Sequence, residues 1–158
     1  MMKAERLDQV RDVFRDVLET MAFMFAEPAE RDELPLNRSD MRAVRMSFNG
    51  VEGGGTLLLA VPNEFQLELA ANMLGIESDD PAAAAKGDDA LKELLNVVCG
   101  RILTTLYGDR PVFDLSVPAI FALAEEGWNG LHADAEAVGF LADERPVLLK
   151  LMTKGTPA

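Results

Sequence analysis

The sequence is poor in the residues that build metal and disulfide sites. Its 158 residues include one cysteine, Cys99, and one histidine, His132. A single cysteine excludes an internal disulfide and a cysteine-based zinc site. A single histidine excludes a multi-histidine metal site. Basic residues are scarce as well: 15 Lys and Arg stand against 27 Asp and Glu, for a net charge of −12. That field repels phosphate backbones and anionic lipid, so neither nucleic acid nor a membrane is an expected partner. Long apolar runs are missing; Met21–Ala26 and Leu57–Pro62 are too short to span a bilayer. The opening residues are charged and lack the apolar stretch of a secretory leader, so a cytoplasmic location is expected.

What remains is globular in composition, 49% hydrophobic and 27% charged. Leu7, Val10, Phe14, Val17, Leu18, Met21, Met24 and Phe25 recur at helical spacing, which predicts a first helix over 5–26. Arg42–Phe48 and Thr56–Val61 read as a hairpin, with Asn49-Gly50 as its tight turn. Gly53–Gly55 continues that turn; no Lys-Ser/Thr follows to make it a phosphate loop. A second helix starts at Asn63, its expected cap, and ends before Gly75. A third, capped by Asp88 or Asp89, runs to Tyr107. Strands are expected over Val112–Phe121, Leu131–Leu141 and Val147–Met152, with Trp128 in the first intervening turn and His132 on a strand surface. This predicts a single 1–158 domain of the α+β class, with long helices packed on a mainly antiparallel sheet. Its two diverged helix-plus-strands halves cover 5–75 and 88–153. The carboxylate runs Glu30–Glu33 and Asp79-Asp80 lack calcium-loop spacing and read as solvated loops.

The third helix carries the candidate chemistry. Leu91, Leu94, Leu95, Val98, Ile102, Thr105 and Leu106 share one face, which is a core stripe. The other face carries Asp89, Glu93, Asn96, Gly100 and Tyr107, flanked by Val97, Leu103 and Thr104. Glu93 and Asn96, at i and i+3, point the same way. Gly100 follows one turn on, where a glycine costs about 1 kcal/mol unless another backbone must come close. A carboxylate accepts a cation, and a primary amide donates and accepts at once. Such an amide can hold a water in line while touching a phosphoryl oxygen, a recurring part of phosphoryl transfer. Nothing nearby supplies a metal cage or an arginine clamp, so the pair would complete a site on another protein. The spacing alone is weak evidence, since Glu126 and Asn129 repeat it. Cys99 has no neighbouring histidine and reads as an inert, half-buried thiol.

The stretch from Asp89 to Gly100 resembles the active helix of the CheC/CheX family of chemotaxis phosphatases. The family pattern is Asp or Ser, three residues, Glu, two residues, Asn, and a later proline. Asp89, Glu93 and Asn96 match in order, and Pro118 falls near the proline. Phe14–Pro28 is similar to the family's first helix. Aligning Glu19 on Glu93 puts Ala22 where Asn96 stands, so the chain resembles the CheX-like members with one active helix.

The resemblance implies a phosphatase for the phospho-aspartate of a CheY-type response regulator. Glu93 would bind a regulator lysine and Asn96 would orient the hydrolytic water. Asp89 would cap or orient the helix beside the partner, and Val97, Gly100 and Leu103 would line the docking surface. The Mg²⁺ would sit on the regulator, with no metal or cofactor held by this chain. The resemblance also implies a homodimer. The competing readings are a non-catalytic adaptor for a signalling partner and an assembly role through a sheet edge.

Overall fold

The structure, a computed structural model, describes residues 4–154. Helix α1 (Ala4–Ala22) buries Val10, Val13, Phe14, Val17 and Leu18, an i, i+3, i+4, i+7, i+8 stripe. It stops at Ala22, four residues short of the predicted end. Phe23 turns left-handed, φ +54°, and its N–H donates to the Glu19 carbonyl at 3.0 Å, an αL cap. The expected helical residues after it feed strand β1 (Ala26–Ala29) instead. Pro28 is tolerated there because β1 is an edge strand, paired only with β6 (Ala137–Ala142).

Strands β2 (Met41–Gly50) and β3 (Gly53–Pro62) form the hairpin, but its turn is Val51-Glu52. Asn49-Gly50 and Gly53-Gly54 are instead its last paired residues. The glycines serve close strand packing: a Cβ at Gly55 would lie 2.2 Å from the Met152 carbonyl oxygen. Helix α2 (Asn63–Leu74) follows directly, with Pro62 rather than Asn63 at its cap and Gly75 closing it at φ +71°.

Helix α3 (Pro81–Tyr107) is a full 27 residues and takes in the alanine run. Its cap is Asp80, whose side chain accepts from the Ala82 N–H at 2.9 Å, with Pro81 in the first turn. Asp88 and Asp89 therefore lie mid-helix and cap nothing. The expected strand after it is broken into β4 (Asp114–Leu115) and β5 (Ala119–Leu123), with the buried Pro118 between them.

The largest correction lies over Glu125–Ala133, which is helix α4 rather than a turn and a strand. Glu125 and Glu126 suit a helix N-terminus. Gly127 lets the helix sit close to the sheet; a Cβ there would be 2.7 Å from Leu123 Cδ1. Trp128 is fully buried and its Nε1 donates to the Pro35 carbonyl at 2.8 Å. His132 is on this helix, half-buried, with Nε2 at 3.0 Å from the Leu34 carbonyl. Strands β6 and β7 (Arg145–Lys154) then meet through Asp143-Glu144, both at positive φ, as a tight hairpin requires.

All pairings are antiparallel, and the sheet order is β1-β6-β7-β3-β2, with β4 and β5 both on the outer side of β2. Exchange β1 with β5, β2 with β6 and β3 with β7, and the order reads the same from the other end. Each half thus lends its edge strand to the middle strand of the other. Val44, Met46 and Phe48 of β2, with Leu57, Leu59 and Val61 of β3, face a core shared with α1, α2 and α3. The opposite side packs Met41, Ala43, Ala60 and Leu148 against Trp128 and Leu34.

Candidate functional site

Helix α3 packs on the sheet along one face and is tied to α1 and α2 along its length. Leu91, Leu94, Leu95, Val98 and Ile102 are buried against the sheet. Thr105 is not part of that stripe; it is exposed, and its hydroxyl donates to the Arg101 carbonyl at 2.8 Å. Near the N-terminal end Asp88 accepts from Gln66 Nε2 at 2.8 Å and pairs with Arg42 Nη2 at 3.2 Å. Gly87 permits this α2–α3 approach, since a Cβ there would be 2.8 Å from Gln66 Nε2. Further along, Arg101 Nη2 pairs with Asp16 of α1 at 2.7 Å.

The outward stripe follows from the helical period. Asp89, Glu93 and Asn96 are all exposed, and Gly100 continues their line. Asp89 lies 4.0 Å from Lys86, an exposed pair of little energetic weight. Among the described residues, Glu93 and Asn96 have no hydrogen-bond or ion-pair partner within the chain. No heavy atom outside the helix lies within 4 Å of a Cβ built on Gly100. Nothing among the described residues therefore needs a glycine there, and its surface is open to an approaching backbone.

The flanks differ from expectation. Leu103 was expected on the docking surface, but it is 6% exposed and belongs to the core. Val97 is half-buried and packs against the same core. Tyr107 also turns inward, with its ring 5.1 Å from Phe113. Cys99 is buried rather than half-buried; burial pushes its thiol up to about 11 and keeps it protonated.

The sequence does not reveal the groove beside Glu93. Ala70, Met73 and Leu74 of α2 line it with Lys86, Asp89, Ala90 and Glu93 of α3, around about 270 Å³. Leu74 is 49% exposed at the end of α2. The stripe thus offers the unpaired Glu93 carboxylate, with Asp89 beside Lys86 one turn before it, one amide carrying donors and an acceptor, and an apolar floor beside them. Among the described residues no group of three or more His, Cys, Asp or Glu is placed to hold a metal ion. No helix among them is long and apolar enough to cross a membrane.

The family model for "Chemotaxis phosphatase CheX" matches residues 42–132. No curated protein matches the chain in sequence. Among solved structures, the chemotaxis protein CheX from Vibrio vulnificus is 18% identical, with a TM-score of 0.69 over 98% of this chain and 99% of that one. CheX from Desulfovibrio desulfuricans is 15% identical, with a TM-score of 0.68 over 95% and 99%. The CheX–CheY–BeF3–Mg²⁺ complex from Borrelia burgdorferi gives 20% identity and a TM-score of 0.65 over 97% and 100%. At these identities the structures speak for the fold, and the family match spans more than half of the chain.

Proposed function

Because the chain belongs to the chemotaxis phosphatase CheX family, we propose that it hydrolyses the phospho-aspartate of a CheY-type response regulator, with Asn96 and Glu93 as its working residues. One observation carries the assignment. Glu93, able to bind a cation, and Asn96, able to orient a water, stand exposed and one turn apart on a helix packed along its inner face, without a partner among the described residues. A group that is buried or already paired could not enter another protein's site without first breaking its own contacts.

In this reading Glu93 accepts an ion pair from a regulator lysine and fixes the register of docking. Asn96 enters the regulator's phosphorylated pocket. Its Oδ1 accepts from the attacking water, and its Nδ2 donates to a phosphoryl oxygen. The water attacks phosphorus, the bond to the aspartyl oxygen breaks, and phosphate leaves with the regulator carboxylate restored. One carboxylate and one amide fall short of a Mg²⁺ cage, so the ion would be held by the regulator, where it neutralises phosphoryl charge. Gly100, without a side chain, lets the partner's backbone come close. The Borrelia complex supports the choice of partner, since that CheX is bound to CheY.

The test is phosphate loss from the phosphorylated regulators of the same organism, with and without this protein. Acceleration by wild type that disappears in Asn96→Ala is the expected result, with Glu93→Ala weakening docking. Binding of a regulator with no faster phosphate loss would make the chain an adaptor and end the catalytic reading.

A further inference from the structure

The surface beside the α3 stripe holds an aromatic side chain that the protein's own packing does not explain. Helix α1 runs antiparallel to α3: Gln9, Val10 and Val13 meet Ile102, Thr105 and Leu106, while Asp16 reaches back to Arg101. Helix α2 occupies the other stretch of the same flank, with Ala70, Met73 and Leu74 against Asp89, Ala90 and Glu93. The two meet where α1 ends, as Asn72 Nδ2 donates to the Ala22 carbonyl at 2.8 Å. Continuing the antiparallel register in which Val13 meets Ile102 and Asp16 meets Arg101 carries this junction to the Glu93–Val97 turn of α3, and the next residue is Phe23.

Phe23 is 74% exposed and sits in the left-handed region at φ +54°. For a bulky side chain that backbone conformation is a true outlier. Gly75 closes α2 in the same conformation without the strain. A glycine at position 23 would therefore end α1 equally well and leave no ring in water. An outlier kept against two local costs is a pointer to function. Large aromatic side chains at the centre of a patch are the usual anchors of protein interfaces.

The charges around the ring select its occupant. Glu19, Asp89 and Glu93 are exposed on the turns that meet here, against Lys86, which lines the groove 4.0 Å from Asp89, and Arg15 beside Glu19, so the patch keeps a carboxylate excess in a chain of net charge −12. A second copy using the same patch would set that excess against itself. A surface with apolar side chains next to a lysine fits both the ring and the rim. We propose that Phe23 is a docking anchor that inserts into an apolar patch of the phosphorylated receiver domain, beside the lysine engaged by Glu93. The inference rests on the phosphatase reading and adds to it the side chain that sets affinity for the regulator.

The test uses the full chain and the receiver domain that the wild type dephosphorylates fastest. Phe23→Gly should raise KM about tenfold or more with kcat unchanged, as loss of an anchor does. The same variant should melt about 2–4 °C higher, because the strain is gone. Phe23→Asn, which tolerates the left-handed region, should reproduce the rise in KM, and Phe23→Trp should restore a wild-type KM. If KM is unchanged in Phe23→Gly while wild type is active and Asn96→Ala is dead, the anchor is refuted and the phosphatase reading stands. If wild type accelerates no receiver, both fall. If Phe23→Gly changes only the mass of the protein in solution, the ring belongs to a contact between copies and the inference is overturned.

Discussion

Replacing Asn96 by alanine separates the chemistry of the site from the stability of the helix that carries it. Asn96 is exposed in the middle of α3 and has no partner among the described residues. Its removal opens no cavity and strands no buried group. Alanine is the better helix former by about 0.5 kcal/mol. In a chain of this size that is a rise of about 1–2 °C in the melting temperature. Turnover should move the other way and much further. An amide that positions the attacking water and donates to a phosphoryl oxygen acts only in the transition state. Deleting one preorganised donor of that kind costs about 10²–10³ in kcat, or about 2.7–4 kcal/mol. Asn96→Gln keeps the amide but displaces it by a methylene, and a shift of about 1 Å can cost on the order of 10². Asn96→Asp keeps the shape, loses the donor and brings a negative charge towards the phosphoryl group, so it should be as inactive as alanine. The assay is phosphate release from the phosphorylated regulator at saturating concentration, with KM measured alongside and thermal melts on the same samples. A kcat for Asn96→Ala within about threefold of wild type would refute the role given to the amide.

Three further outcomes follow from the fold. Ala22→Asn, which restores the missing amide on α1, should produce no second site; Ala22 is fully buried, so the change should cost about 1–3 kcal/mol in overpacking and be read as a lower denaturant midpoint with no gain in turnover. Cys99, with its thiol pushed up to about 11, should resist a thiol-reactive dye at pH 8 in the native protein and react on unfolding; fast native labelling would contradict its burial. The Lys150 ammonium, bonded to Asp134, holds that carboxyl below its ordinary range, so its stabilisation is present above the unfolded value near pH 4 and is lost as pH falls through the folded one; Lys150→Met should flatten that acid limb in denaturant titrations from pH 2 to 5, and an unchanged limb would exclude the pair as its cause.

The third helix was legible because its signal is periodic and long. Leu91, Leu94, Leu95, Val98 and Ile102 repeat over three turns, and a buried stripe of that length also fixes where Asp89, Glu93 and Asn96 must face. The errors fall where a local signal opposed a tertiary one. Met24 and Phe25 extend the apolar period of α1, yet beyond its end only Met24 is buried, while Phe25 is 59% and the neighbouring Phe23 74% exposed. Periodicity records apolar character and not burial, so it carried the helix four residues too far. Over Glu125–Ala133 two glycines in four residues read as a turn. They are tolerated in a helix because burial of Trp128 and its bond to Pro35 outweigh their propensity cost. Leu103 shows the limit of the helical wheel. Its angle puts it near the outward stripe, but burial depends on what the rest of the chain packs over that turn, and no single helix encodes this.

The sheet treats the two halves alike while the helices do not, and on the proposed function the difference accounts for a single working helix. Helices α1 and α3 hold matching places in the exchange of halves, and Glu19 stands where Glu93 does. The match ends within a turn. Helix α3 continues for eleven residues beyond Asn96, whereas α1 terminates at Ala22, the position equivalent to Asn96, in the core. A water-orienting amide there would have to point into packed side chains. The next position carries the half-buried Val97 on α3 and the exposed, strained Phe23 on α1. The backbone reversal that leaves α1 without an exposed counterpart of Asn96 is thus the same feature that lifts the Phe23 ring out of α1. On the proposal made for Phe23, one half supplies the amide and the other the grip. Restoring symmetry by mutation should therefore weaken the protein instead of doubling its activity.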